Sequence, residues 1–127
     1  MIHGIGIDIV EVARMQESLD RHGEKFARRV LGDSELEEFT RHNNPAAFLA
    51  KRFAVKEAAA KALGTGFRDG LVLSHITVSN NELGKPELCF SDRAQELVEQ
   101  YAIGESLVSL SDEKHYAVAQ VILLTRA

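Results

Sequence analysis

The sequence predicts an α+β fold in which an antiparallel sheet packs against one long helix and several short helices. An alternating strand comes first, a long alanine-rich helix lies in the middle, and two pairs of short strands follow, each pair joined by a short turn. Strands joined by short turns pair antiparallel, whereas parallel pairs need long crossovers. With 127 residues, of which 45% are hydrophobic, we expect a single domain, residues 1–127, with its own core.

The composition excludes several classes of protein. A net charge of -4 argues against nucleic acid as the main partner. No apolar run approaches the roughly 20 residues that span a bilayer, and the first residues lack the basic and apolar pattern of a signal peptide. The single cysteine, Cys89, excludes a disulfide framework, favours a cytoplasmic protein and is expected to be buried as a small apolar side chain. The histidines lack zinc-ligand spacing, and no serine–histidine nucleophile pattern is present.

The first predicted strand, residues 2–9, has two contrasting faces. The alternation places Ile5, Ile7 and Ile9 on one face, and Gly4, Gly6 and Asp8 on the other. Glycines inside a strand indicate that another backbone or a ligand approaches closely. The glycine face is therefore the one on which we expect such an approach.

Helices are predicted next. Helical patterns cover residues 10–30 with a break at Gly23, and Ser34 with Glu37 forms a capping box for a short helix near 34–42. Asn44 is the N-cap of the long helix, Pro45 is its first residue, and Gly64 ends it.

The remainder of the chain predicts two strand pairs and one helix. Strands at 75–80 and 86–90 are joined by the turn sequence NELGK. A helix over 92–102 has Asp92 as its cap, and strands at 106–111 and 116–124 flank a polar turn.

Asp8 has two interpretations that the local pattern leaves open. Asp8 and Glu11 fit a capping box at the start of the first helix, which is the simpler interpretation. Alternatively, Asp8 is a ligand of a hard cation such as Mg²⁺, which takes carboxylate oxygens, water and substrate phosphates.

Glu57 and Lys61 lie four residues apart on the long helix, so their side chains can meet. A surface ion pair is one interpretation. The residues on the same arc as Glu57, however, are small and mostly apolar, among them Ala50, Phe53, Ala54 and Ala60. A carboxylate in such surroundings needs a partner, and either a metal ion or a lysine would serve.

Two further groups are candidates for binding anions or a protein. The Gly64-Thr65-Gly66 loop could turn backbone N–H groups toward an anion, although a helix C-cap is the more ordinary explanation. A set of basic residues shares one helical face with interleaved acids, and predicts either a solvated surface or a docking site for an acidic protein: Arg14, Arg21, Lys25 and Arg28.

At GIGIDIVEVAR (residues 4–14) and FLAKRFAVKEAAAKALGTG (residues 48–66), the chain resembles the holo-acyl-carrier-protein synthases. These are small, single-domain 4′-phosphopantetheinyl transferases. The ELGKP turn (82–86) and the YAVAQVIL segment (116–123) extend the resemblance over essentially the whole chain. The resemblance implies an Mg²⁺-dependent enzyme that moves the phosphopantetheine arm of coenzyme A to a serine of apo acyl carrier protein, releasing adenosine 3′,5′-bisphosphate.

The resemblance also implies roles for individual residues. Asp8 and Glu57 hold Mg²⁺ against the pyrophosphate, Lys61 stabilises its charge, and Glu57 is one candidate for accepting the serine proton. Arg52 and Lys56 contact phosphates of the nucleotide end, and the loop of Gly64, Thr65 and Gly66 cradles the same region.

Docking and assembly follow from the same resemblance. Arg14 docks an acidic helix of the carrier protein, and Arg21, Lys25 and Arg28 extend that patch. The family implies a homotrimer with active sites at subunit interfaces, where the apolar last strand is buried. One departure concerns Asp112, because many relatives carry histidine there. Its negative charge disfavours a phosphate contact, so we expect Asp112 to cap a turn or to pair with Lys114.

Two other functions stay open beside the transferase. An Mg²⁺-dependent hydrolase of nucleotide pyrophosphates would use the same carboxylates and Lys61 but would not need Arg14. A non-catalytic trimeric binding module would need none of these groups for a reaction.

Overall fold

The computed structural model describes residues 1–127. The five α-helices are α1 (Val12–His22), α2 (Glu24–Val30), α3 (Asp33–Arg41), α4 (Pro45–Leu63) and α5 (Asp92–Gln100). The five strands are β1 (Ile2–Glu11), β2 (Ile76–Asn80), β3 (Pro86–Phe90), β4 (Ile103–Asp112) and β5 (Tyr116–Thr125), and a 3₁₀ turn (Leu73–His75) precedes β2. The α+β class predicted from the sequence is confirmed.

Helix α4 lies at the centre of the molecule. It begins as predicted, because the Asn44 side chain accepts a hydrogen bond from the Ala47 N–H at 3.2 Å and Pro45 follows the cap. It ends at Gly64, which adopts the left-handed conformation with φ of 89°. Thirteen of its 19 residues are buried, so neighbouring elements cover the helix on almost every side.

The strands form two antiparallel sheets instead of the one that the sequence predicted. The larger has the order β1–β5–β4, and the smaller pairs β2 with β3. The inner face of the larger sheet packs on α4 through the small residues Ala117 and Ala119, together with Val121 and Leu123 of β5. The buried apolar side chains make one contiguous cluster around this contact.

The glycine face of β1 packs against α4, and the isoleucine face points outward. A Cβ atom added to Gly4 would overlap the carbonyl oxygen of Ala62, and one added to Gly6 would overlap that of Ala58. The glycines are therefore required by close approach of strand and helix backbones. Ile5, Ile7 and Ile9 are each more than half exposed.

The capping box predicted for Asp8 and Glu11 is wrong. Strand β1 runs through both residues, paired with β5, and α1 begins only at Val12. The Val12 N–H bonds to the His115 carbonyl at 2.8 Å, so the strand continues where the local pattern predicted a cap.

The capping box predicted for Ser34 and Glu37 is also wrong, although the helix exists. Gly32 is the N-cap of α3, and its N–H donates to the Glu35 carboxylate at 3.0 Å. The α5 cap is Ser91, and Asp92 is instead the first helical residue. Cys89 is exposed on β3, against the expectation that it is buried.

None of the helices combines the length and the apolar composition that crossing a bilayer needs.

Candidate active site

Asp8 and Glu57 lie in one cleft between β1, α1 and α4. The cleft has a volume of about 440 Å³, and its walls include Glu11, Arg14 and Phe53. The register of β1 explains why they meet. Asp8 shares the face of Gly6, so the close approach of the two backbones brings its carboxylate to α4.

Lys61 joins the helix to the strand. Its Nζ donates to the Asp8 carboxylate at 3.0 Å and to the Ile7 carbonyl at 2.9 Å, while the side chain remains half exposed. The pairing of Lys61 with Glu57 that the helical spacing allowed is not formed. Two of the three N–H groups of the ammonium are used in these hydrogen bonds, and the third has no protein partner.

Glu57 is a partly buried carboxylate that receives no hydrogen bond from the protein. Burial raises the pKa of Glu57, the negative charge of Asp8 raises it further, and the Lys61 charge opposes both effects. Two carboxylates that share a cleft repel each other unless a cation lies between them. No group of three or more His, Cys, Asp or Glu side chains could ligate a metal here, so a divalent ion would take its other ligands from water or a substrate.

The loop after α4 forms the helix C-cap. The N–H groups of Gly64 and Gly66 both donate to the Ala60 carbonyl, each at 3.2 Å, so neither is directed toward an anion. The hydroxyl of Thr65 is different, because it is buried without any hydrogen-bond partner. An unsatisfied buried hydroxyl is costly, and a ligand oxygen would satisfy it.

Lys56 does not reach either the cleft or solvent. The side chain is fully buried, and its three N–H groups donate to the Glu35 carboxylate at 2.7 Å, the Ile76 carbonyl at 2.6 Å and the Leu73 carbonyl at 3.2 Å. Burial lowers the pKa of Lys56, and the Glu35 charge opposes that shift. No N–H is left for the phosphate contact that the resemblance implied.

Glu35 was not among the residues predicted from the sequence. One signal for it exists, because Glu35 lies one residue before Leu36 and four before Phe39 on α3, and both of these pack on the core. A glutamate in such a stripe needs a buried cation, and Lys56 supplies it.

Arg52 lines a second cleft, of about 320 Å³, on the other side of α4. Arg52 and Glu57 differ by five positions in the sequence, which places them about 140° apart around the helix. The guanidinium donates to the Val78 carbonyl at 2.9 Å and to the Glu38 carboxylate at 2.6 Å, and it lies 4.8 Å above the Phe48 ring. One chain therefore does not present Arg52 and Glu57 to the same opening.

Asp112 lies in the wall of this second cleft with Lys51, Arg52 and His42. It forms no ion pair with Lys114, and the turn after β4 is capped instead by Glu113, whose carboxylate accepts from the His115 N–H at 2.9 Å. Both expectations for Asp112 were wrong.

The basic residues divide between two helices. Arg14 lines the first cleft and Arg21 lies exposed on α1, whereas Lys25 and Arg28 belong to α2 beyond the break at Gly23. Arg28 pairs with Glu24 at 3.3 Å. The continuous helical face that their spacing predicted is therefore interrupted, and Arg14 alone reaches the Asp8–Glu57 cleft.

Comparison with known proteins gives consistent matches over the whole chain. A model of the 4′-phosphopantetheinyl transferase superfamily matches residues 4–121. The holo-[acyl-carrier-protein] synthase of Hamiltonella defensa is 53% identical over 122 residues, which are 96% of this chain and 97% of that protein.

Solved structures agree with the sequence matches. The holo-[acyl-carrier-protein] synthase of Neisseria meningitidis superposes with a TM-score of 0.93 at 39% identity, covering 98% of this chain and all of that one. The Bacillus anthracis synthase, solved in complex with CoA (3′,5′-ADP), has a TM-score of 0.83 at 37% identity and covers 99% of both chains.

Because the Glu57 carboxylate is partly buried beside the negative charge of Asp8, we expect Glu57→Gln to stabilise the metal-free protein. Because the folded-state pKa is raised, the contribution of this group to stability is present at low pH and is lost as pH rises through that pKa. At pH 7 we expect Gln to raise the free energy of unfolding by about 0.5–1 kcal/mol, the size of a partly exposed charge interaction.

Urea unfolding in EDTA at pH 7 and pH 4 measures this effect, with Glu87→Gln on β3 as the exposed control. The gain should appear at pH 7 for position 57 alone and should shrink at pH 4. A gain of equal size at both pH values would contradict the charge as its cause.

Proposed function

Since the chain belongs to the holo-acyl-carrier-protein synthases, a family of 4′-phosphopantetheinyl transferases, we propose that it performs an Mg²⁺-dependent transfer of the phosphopantetheine arm of coenzyme A to a serine of apo acyl carrier protein. The observation that supports this most directly is the cleft lined by Asp8 and Glu57, with Lys61 bonded to Asp8, because all three residues belong to the two motifs of the family.

The proposed reaction is a displacement at phosphorus. The serine oxygen forms a bond to the phosphorus that carries the pantetheine arm, and the bond from that phosphorus to the bridging pyrophosphate oxygen breaks. Adenosine 3′,5′-bisphosphate leaves with the bonding electrons, and the serine proton passes to a base. Glu57 is a candidate for that base, because its carboxylate lies in the cleft beside the proposed site of the pyrophosphate.

Asp8 and Glu57 fit an Mg²⁺ ion, since two oxygen ligands at the edge of an open cleft leave positions for water and substrate phosphates. When bound, the ion would neutralise negative charge on the pyrophosphate. Lys61 is held at this edge by Asp8 and the Ile7 carbonyl, and its remaining N–H can donate to a phosphoryl oxygen. The unsatisfied Thr65 hydroxyl at the C-terminal end of α4 offers a further donor.

We also propose that the enzyme is a homotrimer with active sites shared between subunits. The outer face of β1–β5–β4 exposes a patch of apolar side chains that a monomer rarely leaves uncovered, formed by Ile5, Ile7, Ile9 and their β5 and β4 neighbours Ile122 and Leu107. Arg52 and Glu57 open to different sides of α4, so one coenzyme A molecule can meet both only if two subunits supply them. In this arrangement Arg52, with Lys51 and His42, takes phosphates of the nucleotide end.

Arg14 is proposed to dock the carrier protein beside the reacting groups. It is exposed in the wall of the Asp8–Glu57 cleft, where an incoming acidic helix would bring the serine close to the pyrophosphate. Arg21, Lys25 and Arg28 are exposed on α1 and α2, and we propose that they make additional contacts with the carrier protein on either side of the Gly23 break. The exposed free Cys89 is compatible with the cytoplasm, where coenzyme A is used.

The transfer is tested by the intact mass of an apo acyl carrier protein after incubation with this protein, coenzyme A and Mg²⁺. We expect a gain of one phosphopantetheine arm that EDTA abolishes, because the carboxylate pair needs a cation. Asp8→Ala and Glu57→Ala should each abolish the gain, while Glu99→Ala on the exposed side of α5 should not.

Nucleotide release without carrier protein would instead indicate a pyrophosphate hydrolase. No reaction with any carrier protein, from folded protein, would favour a binding module. Either result overturns the proposed transfer.

Removal of the Arg14 charge should weaken the binding of the carrier protein and leave the binding of coenzyme A unchanged. We expect Arg14→Ala to raise the KM for apo acyl carrier protein by about tenfold, the usual cost of a lost interfacial charge contact, and to leave the KM for coenzyme A within a factor of two. Steady-state kinetics with each substrate varied in turn measures the two constants, and Arg126→Ala is the control. Equal increases in both constants would remove the docking role.

A charge in the isoleucine face should separate the subunits. Ile7→Asp places a carboxylate at the centre of the proposed interface, where burying it unpaired is costly. Light scattering should then give the mass of one chain in place of three, with transfer reduced by about 100-fold because the shared site is divided. Val72→Asp, also at an exposed apolar residue but outside this sheet, should stay trimeric and active. A monomeric wild type would refute the assembly.

A further inference from the structure

Glu35 is a buried carboxylate for which the proposed reaction has no use. Its side chain is 2% exposed, and it accepts three hydrogen bonds: from the Gly32 N–H at 3.0 Å, from Lys56 Nζ at 2.7 Å and from the Val78 N–H at 2.9 Å. Arg52 Nε lies 3.9 Å from its second oxygen. These contacts join α3, α4 and β2 at one point.

The charges around Glu35 balance. Lys56 and Arg52 are the buried cations, and Glu35 and the half-exposed Glu38 are the anions. Well-packed apolar side chains of the same volume would stabilise such a core as well as a buried ionic network does. Stability alone therefore does not account for four charges at this position, and their directional contacts are the feature that apolar packing would lack.

The network fixes β2 against α4. Lys56 donates to the Ile76 carbonyl, Arg52 donates to the Val78 carbonyl, and Glu35 accepts from the Val78 N–H, so three backbone groups of β2 are held. The β2–β3 hairpin supplies one wall of the second cleft through Val78 and Pro86, whereas α4 supplies the facing wall through Lys51 and Arg52. The distance between these walls thus depends on Glu35.

Arg52 is held on several sides. The Val78 carbonyl and Glu38 each take one of its N–H groups, Phe48 lies under the guanidinium, and Glu35 faces Nε. Two of its five N–H groups are used and the Nε–H faces Glu35, so two N–H groups remain for a ligand in the cleft. A guanidinium held in this way is preorganised for a phosphate.

We propose that Glu35 is a positioning residue that sets the width of the second cleft and the orientation of Arg52 for the 3′-phosphate of coenzyme A. This inference rests on the proposed function, in which that cleft takes the nucleotide end. Glu35 acts through Arg52 and the hairpin and does not touch the substrate.

The test compares coenzyme A with dephospho-coenzyme A, which lacks the 3′-phosphate, as donors for wild type and Glu35→Gln. We expect the preference for coenzyme A, as the ratio of kcat/KM values, to fall about tenfold in Glu35→Gln, because a small misplacement of Arg52 weakens its phosphate contact. The KM for carrier protein and the kcat with saturating coenzyme A should change less than twofold. Glu37→Gln, on the exposed side of the same helix, is the matched control and should retain the full preference.

Glu35→Gln leaves Lys56 buried and unpaired, so a second variant guards against loss of folding. Glu35→Gln with Lys56→Met removes both charges, and we expect it to fold and to show the same loss of preference. An unchanged preference in whichever variant folds would refute the positioning role, since a purely structural role would lower stability without altering donor choice.

A binding measurement distinguishes a failure of this inference from a failure of the proposed function. Calorimetry with adenosine 3′,5′-bisphosphate and with adenosine 5′-monophosphate measures the same preference without any transfer. If the wild type transfers nothing, the proposed function fails, and the calorimetric preference of wild type over Glu35→Gln still decides whether Glu35 prepares the cleft for the second phosphate.

Discussion

The contact between the backbones of β1 and α4 is the constraint on which the rest of this structure depends. Gly4 and Gly6 lie so close to the helix carbonyls of Ala62 and Ala58 that no side chain fits between them. This approach brings Asp8, on the same strand face, to the helix that carries Glu57 and Lys61. It also turns the isoleucines of β1 away from the core, so the same two glycines create the cleft and leave an exposed apolar surface on the other side of the strand.

The cleft contains an unfavourable electrostatic interaction, the repulsion between the Asp8 and Glu57 carboxylates, that apolar packing would not create. Glu57 is partly buried beside Asp8, and the one nearby cation, Lys61, is held by Asp8 and a strand carbonyl. Functional sites commonly retain such unfavourable groups because a ligand relieves them. A divalent cation bound together with an anionic substrate would relieve this repulsion, because the cation would offset the carboxylate charges and the substrate would supply its remaining ligands. The unsatisfied Thr65 hydroxyl is a smaller instance of the same arrangement.

Local sequence patterns predicted most of the elements, because periodicity, Asn44-Pro45 and Gly64 act within a few residues of where they stand. The caps at Ser34 and Asp92 were misplaced by one or two residues for the same reason, since several polar residues compete for one helix end. The glycines of β1 correctly predicted which face of the strand is closely approached. What the sequence could not decide was whether a backbone or a ligand makes that approach, because the partner is a helix some 50 residues away. The burial of Lys56 likewise depends on Glu35, which lies on a separate helix.

The two sides of α4 explain why adjacent charged residues in one motif differ in burial and in their partners. Lys56 and Glu57 are neighbours in sequence, yet the helical turn directs Lys56 into a closed ionic network and Glu57 into an open cleft. Charge at the second cleft must then come from residues at its surface. Asp112 lies in its wall and subtracts from the positive charge of Lys51, so an anion there depends more heavily on Arg52. A cleft with little excess charge gains affinity mainly from the orientation of its best donor, which is why a buried carboxylate that fixes that donor can govern which nucleotide the enzyme prefers.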